Sequence, residues 1–419
     1  MDGKHWYEQG LAHVWPPYAQ MKTMRPPLAV ARTQGCRIVL ADGRELIDGV
    51  ASWWTACHGY NHPHIREAVE RQLAEMPHVM FGGLVHEPAL TLARRLAALL
   101  PGDLDRVFFS ESGSVAVEIA MKMALQFWIN RGEPRRTKFV AFKGGYHGDT
   151  LGAMAVTDPD SGMHDVFMGT LPDHIIVDLP TDAAKGEALE LVLGRHAETI
   201  AGLIVEPLVQ GAGGMHFHDA ATLQRLRSTA DGCGALLIFD EIFTGLGRTG
   251  SMFACEQAEV VPDIITLSKA LTGGTLPLAS TVARSHVFDA FWSDDPNKAL
   301  MHGPTYMGNA LACAAANASL DLFERERRLE QVEAISAQMA QELAPCRGLR
   351  GVKDVRVKGA IGVVELERIS ELDALRARFV EEGVFIRPFG NIVYLTPSFT
   401  IAPDELTRLT AAIVKVIGS

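Results

Sequence analysis

Three short stretches of the chain hold side chains whose types and spacing could do covalent chemistry. "PDIITLSKALTGG" closes an apolar strand on Lys269, just before a glycine pair that lets backbone approach closely, and lysine is seldom buried without a task. "ALLIFDEI" ends another apolar strand on Asp240, at the carboxyl edge where ligands bind in open α/β sheets. "FFSESGSVAVEIAMKMALQFW" reads as a strand, a Ser/Gly turn and a long apolar helix whose first turn exposes the amides of Gly113 and Ser114. Free amides at a helix start, with the dipole behind them, suit a phosphate. Each signal has an ordinary alternative: Ser112 or Ser114 could simply cap the helix, and Asp240 could cap the loop that follows it. Taken together and in this order, the three meet the needs of pyridoxal phosphate. The lysine carries the cofactor on its amine, the aspartate keeps the pyridine nitrogen protonated, and the helix start holds the phosphate. Tyr146 in "GGYHGDT", on a loop after a further strand, is able to lie flat on the cofactor ring.

Other chemistries fail on spacing. "GLGRTG", Gly245 to Gly250, satisfies the glycine pattern of a dinucleotide site. However, Asp240 and Glu241 occupy the strand end where its turn should be, and position 270, where the ribose-binding acid belongs, is Ala270. A nicotinamide dehydrogenase is therefore the rival from another enzyme class, and a non-catalytic binding protein would leave Lys269 and Asp240 without a reason to coexist. "HEPAL" at His86 lacks a second histidine, since position 90 is Leu90, and His58, His62 and His64 flank Pro63 with no helical face to gather them, so no metal is expected. The six cysteines form no C-x-x-C pair, which argues against a zinc knuckle or a disulfide framework and fits a reducing cytoplasm.

"GVASWWTACHGYNHPH" poses a different question. Neighbouring side chains point to opposite faces of a strand and lie about 100° apart on a helix, so Trp53 and Trp54 cannot both face one core. Either the segment is buried on both sides, or one indole lines something other than the core.

The elements that must position these residues are legible from pattern. "CRIVLADGRELIDG" is a pair of short alternating runs around Asp42-Gly43, a hairpin signal, and makes residues 1–62 an N-terminal β-rich arm expected to pack with a small domain. From 63 to 308, apolar strands alternate with helices, which predicts a large α/β domain with a mainly parallel central sheet and helices on both faces. Residues 309–419 read as a smaller C-terminal α+β domain, with a long helical stretch through Leu343, strands in "VKDVRVKGAIGVVEL" and "VFIRPFGNIVYLTP", and a helix near Leu372–Glu382. With 39 Lys and Arg against 50 Asp and Glu, the chain of 419 residues has a formal net charge of −11 and should repel nucleic acid and anionic membrane. No apolar run spans a bilayer and no export signal is visible, so a cytoplasmic enzyme of small molecules is expected.

"VEPLVQGAGG", "FDEIFTGLGRTG", "LSKALTGG" and "HGPTYMGNALACA" resemble the signature of the class III aminotransferases, fold type I pyridoxal-phosphate enzymes, over nearly the whole chain. The resemblance implies that Lys269 carries the cofactor, Asp240 pairs with the pyridine nitrogen, and Gly113 with Ser114 holds the phosphate. It also implies a homodimer in which Pro304 and Thr305 of "GPTYM" complete the phosphate site of the neighbouring subunit. "SWWTACHGYNHP", "HVMFGGLVHEPA", "MHGPTYMGN" and "FIRPFGNIVY" are most similar to the branch of that class that acts in biotin biosynthesis. That branch moves an amino group from S-adenosylmethionine to 8-amino-7-oxononanoate by a ping-pong reaction. The likeness implies substrate contacts from Tyr18, Trp53, Trp54, Tyr146 and Gly303, with the acceptor's carboxylate on Arg387. Lys269 would shuttle the proton, while Tyr146 and Asp149 orient the site. Two departures stand out. Ala212 follows "QG" where many relatives that use glutamate or 2-oxoglutarate carry an acid, and Pro16-Pro17-Tyr18 stands where relatives often have His-Pro-Tyr. The rival within the class is an ω-amino acid or diamine aminotransferase, or an aminomutase.

Overall fold

In the computed structural model, which describes residues 5–159 and 165–419, the Asp42-Gly43 hairpin forms as its sequence demands. After β1 (Val30–Gln34), strands β2 (Arg37–Leu40) and β3 (Glu45–Asp48) pair antiparallel, Arg37 opposite Ile47 and Val39 opposite Glu45. Gly43 takes φ 90° at the turn and Asp42 accepts the Arg44 N–H at 3.0 Å. The arm is not purely β, because His5–Leu11 is helical.

The central sheet is built from near-continuous apolar runs. Its strands are β4 (Leu104–Ser110), β5 (Lys138–Phe142), β6 (Ile175–Val177) and β7 (Ile200–Val205). The short ribbon β8 (Val209–Gln210) with β9 (His216–Phe217) lies outside it, and β10 (Leu236–Asp240), β11 (Ile264–Leu267) and β12 (Ala279–Arg284) complete it. The order is β4-β12-β11-β10-β7-β5-β6, with β12 antiparallel to both its neighbours. Leu236 and Ile238 join the core formed with the helix Gly113–Asn130, while Leu237 and Phe239, pointing the other way by strand alternation, are buried as well. Both faces of β10 are therefore covered, which is why central strands such as β7 and β10 read as near-continuous apolar runs, whereas β4 at the edge carries Asp105 and Arg106.

The strands that follow are β13 (Val352–Lys358), β14 (Ile361–Leu366), β15 (Val384–Phe385) and β16 (Ile392–Leu395). β13, β14 and β16 form an antiparallel sheet, whereas β15 pairs in parallel with β3, Val384 opposite Ile47 and Phe385 opposite Asp48. The chain clusters into two compact units: residues up to Pro63 together with Glu330–Ser419, and His64–Leu329. The helix Ala310–Arg325 belongs to the latter, packing on the helix Glu87–Leu99. Among the described residues, no helix is long and apolar enough to cross a membrane.

The Trp53-Trp54 pair lies in a left-handed turn. Ala51, Ser52, Trp53 and Trp54 all have positive φ, from 44° to 74°, and none is glycine. Each such residue costs roughly 1–2 kcal/mol against the right-handed form, so the turn needs outside support. It resolves the question of the two indoles by splitting them. Trp54 is buried, 7% exposed, with its ring 6.3 Å from that of Tyr394, whereas Trp53 is 39% exposed.

Candidate active site

In the larger unit, strand ends and one helix start converge on a buried charged group. β10 delivers Asp240 and β11 leads through Ser268 to Lys269, the two strands being parallel with Asp240 opposite Thr266. Asp240 is 3% exposed and fully engaged. Its Oδ2 accepts from His147 Nδ1 at 2.7 Å, and its Oδ1 accepts from the Ile242 N–H at 3.1 Å and the Thr266 hydroxyl at 3.2 Å. Burial works against protonation of His147, but the hydrogen bond and charge of Asp240, aided by the charge of Glu206, outweigh it and raise the imidazole pKa above its ordinary value. Glu206 is pushed up to about 7 by burial, and its oxygens accept the Tyr146 and Gly211 N–H groups, both at 2.9 Å.

Lys269 has φ 48°, a left-handed backbone for a residue with a Cβ, and sits among buried neighbours. Burial lowers its amine pKa, and the nearby carboxylates of Asp240, Glu206 and Asp149 oppose that shift without cancelling it. An amine of lowered pKa is a better nucleophile and base at neutral pH than an ordinary lysine.

The helix Gly113–Asn130 starts beside this group. Ser112 is its N-cap, accepting the Val115 N–H at 3.4 Å, and the first helical bond runs from Ala116 N to Ser112 O. The amides of Gly113 and Ser114 thus precede the helical ladder. A Cβ at Gly113 would lie 2.9 Å from Ile242 Cδ1, so only glycine fits there without a shift. Tyr146 donates its hydroxyl to Asp149 Oδ1 at 2.8 Å, and the Asp149 N–H donates to Ser114 Oγ at 3.0 Å, tying the tyrosine loop to the helix start. Gly148 is needed for that approach: it has φ 129°, and a Cβ on it would fall 2.1 Å from Ser114 Oγ. Gly148→Ala is expected to cost about 2–3 kcal/mol, since both the backbone and the packing oppose it, and a urea titration against the parent checks this.

The second unit gathers the other predicted residues. Arg387 Cζ stands 4.9 Å from the centroid of the Trp53 ring, and Tyr18 meets Trp53 edge-on at 6.2 Å. Burial and the neighbouring Arg376 guanidinium depress the Arg387 pKa, so this is an electropositive spot. Arg376 itself donates to Pro388 O and to Asp373, bracing the segment that carries Arg387. A cleft of about 720 Å³ within this unit is lined by Pro17, Tyr18, Arg25, Arg44, Arg376 and Arg387, among others. Arg44 and Arg376 are tied to Asp42 and Asp373, whereas Arg387 stacks on an indole.

The structure therefore brings together Lys269, Asp240, Tyr146, Gly113 and Ser114 in one unit, and Tyr18, Trp53 and Arg387 in the other, with Trp54 turned inward. Gly303 and Thr305 are exposed and Pro304 half-buried, on a segment with no regular structure. His147 and Glu206 join the site without having been singled out, although His147 adjoins Tyr146 and Glu206 lies in "VEPLVQGAGG". The only available signal was that a buried acid or histidine needs a partner. Gly245–Gly250 forms a series of turns rather than a strand-to-helix junction, and His86 accepts the Ala89 N–H at 3.4 Å as a helix cap.

A family model described as aminotransferase class-III matches residues 18–417. The adenosylmethionine-8-amino-7-oxononanoate aminotransferase of Buchnera aphidicola subsp. Acyrthosiphon pisum is 43% identical over 413 residues, which cover 97% of this chain and 96% of that protein. The crystal structure of adenosylmethionine-8-amino-7-oxononanoate aminotransferase from Methanocaldococcus jannaschii matches with a TM-score of 0.95 and 33% identity, covering 99% of both chains. An amine transaminase from an uncultivated Pseudomonas species, solved in its PLP-bound form, matches with a TM-score of 0.88 and 33% identity, covering 96% of this chain and 98% of that one.

Proposed function

The chain belongs to the class-III aminotransferases, and from that premise we propose that it transfers the amino group of S-adenosylmethionine to 8-amino-7-oxononanoate, giving 7,8-diaminononanoate in biotin biosynthesis. The observation that carries this reading is the near full-length identity to proteins of that name, among them the Buchnera enzyme at 43%. Its fold is that of the solved fold type I transaminases.

The residues of the larger unit fit pyridoxal phosphate by the chemistry of their donor set. They offer a half-buried lysine whose amine has a lowered pKa, a carboxylate held by His147, and a helix start whose glycine leaves no room for a Cβ without a shift of Ile242. When bound, pyridoxal phosphate supplies an electrophilic carbonyl for the amine and an electron-poor ring that takes up the electrons of a broken C–H bond. Lys269 would hold the cofactor covalently and, once displaced by substrate, take the proton from the donor's carbon at its Nζ and pass it to the cofactor within the first half-reaction, then carry a proton the opposite way, onto the acceptor's carbon, in the second. Asp240 would keep the proton on the pyridine nitrogen, and the Gly113 and Ser114 amides would bind the phosphate. Tyr146, held by Asp149, would orient the ring.

For the acceptor, Arg387 would receive the carboxylate and Trp53 and Tyr18 would cover the aliphatic chain, with Trp54 contributing from its buried position. Gly303, Pro304 and Thr305 are assigned to the neighbouring site of a homodimer. The exposure of Met301 at 80% and Tyr306 at 60% on the same segment supports a second copy covering it. Arg387→Lys is expected to raise the acceptor KM by about 10- to 100-fold with little change in kcat, because a point charge replaces a planar fork.

The test is a half-reaction followed spectrally. The cofactor-loaded enzyme is mixed with S-adenosylmethionine, lysine or 1-phenylethylamine in turn, and then the aminated enzyme is offered 8-amino-7-oxononanoate. Reaction with S-adenosylmethionine and then with the keto acid supports the proposal. A response to 1-phenylethylamine alone would favour an amine transaminase like the Pseudomonas protein.

A further inference from the structure

The left-handed turn at Ala51–Trp54 has four consecutive residues with positive φ and a single carboxylate at its head. Asp48 Oδ1 accepts the Val50 N–H at 2.8 Å, and its Oδ2 accepts both the Ser52 N–H at 3.0 Å and the Tyr60 hydroxyl at 2.5 Å. The Ser52 hydroxyl contacts the same Tyr60 oxygen. Asp48 is 2% exposed, so water does not compete for these bonds. The same residue ends β3, where it stands opposite Phe385 of β15, and the Gly49 N–H donates to Phe385 O at 2.9 Å. Asp48 thus occupies the junction between the turn that carries Trp53 and the strand that leads, two residues on, to Arg387. The stacking of Arg387 on Trp53 depends on both segments being fixed, because neither side chain's own sequence neighbours supply the other.

We propose that Asp48 is a positioning residue for the acceptor: by holding the left-handed turn it fixes the Trp53 indole against Arg387 and so aims the guanidinium at the acceptor's carboxylate. The proposal rests on the assignment of that carboxylate to Arg387. Carboxylate chemistry is required at position 48, not only its size. The carboxylate of Asp48 accepts from donors on both oxygens, so an amide there would turn an NH2 group toward either the Val50 N–H or the Ser52 and Tyr60 donors.

The experiment compares the parent with Tyr60→Phe, Asp48→Asn, and Asp48→Asn combined with Ser52→Gly. Each is assayed with 8-amino-7-oxononanoate and with 2-aminononan-3-one, the same chain with a methyl group in place of the carboxylate. Tyr60→Phe is the mild variant, removing one hydroxyl, and is expected to raise the KM for the acid about threefold. Asp48→Asn is expected to raise it about tenfold or more, with kcat near the parent's and kcat/KM for the ketone without a carboxylate within twofold of it. Glycine at position 52 adopts positive φ without help, so the double variant should recover part of the lost affinity for the acid. Equal losses on both ketones, or no loss on the acid, overturn the proposal. A second readout needs no turnover: the near-ultraviolet circular dichroism of Trp53, isolated by subtracting the Trp53→Phe spectrum, should shrink in Tyr60→Phe and Asp48→Asn. An unchanged band in both variants also overturns it. If the parent fails to use 8-amino-7-oxononanoate, the substrate assignment fails instead, and the Trp53 band still decides whether Asp48 holds the turn.

Discussion

Lys269→Ala is expected to lower transamination by at least about 10³-fold while making the cofactor-free protein more stable. The loss combines covalent attachment with proton transfer, and a positioned acid–base group alone is worth about 10²–10⁴. The gain follows from the direction of the amine's pKa. Burial lowers it despite the attraction of Asp240, Glu206 and Asp149, so the charged amine is net disfavoured where it sits. For a base whose folded pKa lies below its ordinary 10.5, the cost to stability is complete below the folded pKa and vanishes as pH rises through 10.5, where the unfolded chain also releases its proton. The melting temperature of Lys269→Ala should therefore exceed the parent's most at neutral pH, and the two should converge toward pH 10.5. Lys269→Gly should be more stable still, since φ 48° costs any residue with a Cβ roughly 1–2 kcal/mol. Substantial activity in Lys269→Ala would remove the lysine from the mechanism. A variant less stable than the parent at neutral pH would mean that the three carboxylates, not burial, govern the amine.

The stability cost expected of Lys269 cannot be read from a sequence, whereas the place of that residue at a strand end can. Lys269, Asp240 and the Gly113 helix start were legible because each ends or begins an apolar run whose element type is set by local pattern, and strand ends and helix starts are where the fold presents side chains and free amides. The hairpin at Asp42-Gly43 was legible for the same reason. The two tryptophans were half legible: period alone required that they part, but not that they do so through a left-handed turn, which has no signature in "ASWW". His147, Glu206 and Asp48 were not visible as partners. Their roles arise from contacts across 93 residues for His147 with Asp240, or from the parallel pairing of β3 with β15, which joins residues 48 and 385. The helical stretch through Leu343 divides at Glu326, which is extended between the helices Ala310–Arg325 and Arg328–Glu342, although "ERERRLEQ" is uniformly helix-forming.

Asp240→Asn is expected to cost about 10³-fold in rate and about 3 kcal/mol in stability, and the reason lies in what the two oxygens accept. Oδ1 takes the Ile242 N–H and the Thr266 hydroxyl, and Oδ2 takes His147 Nδ1. An asparagine keeps one acceptor. If its oxygen stays with Ile242, its NH2 faces His147 Nδ1, and the imidazole must become neutral with its proton on Nε2. If the amide flips, the NH2 group faces the Ile242 N–H instead. Either way the negative charge that raises the His147 pKa, and that is assigned to the pyridine nitrogen, is gone. The sign of the pH effect follows. A histidine whose folded pKa is raised contributes stability that is complete below its ordinary 6.5 and lost as pH rises through the folded value. The parent's stability advantage over Asp240→Asn should therefore be largest in mild acid and shrink as the solution is made alkaline. Nitrogen-15 spectra of the imidazole should show Nδ1 protonated in the parent and unprotonated in the variant when Ile242 keeps the oxygen. A variant that retains both the parent's rate and its imidazole spectrum would mean that the charge of Asp240 is not what the reaction uses.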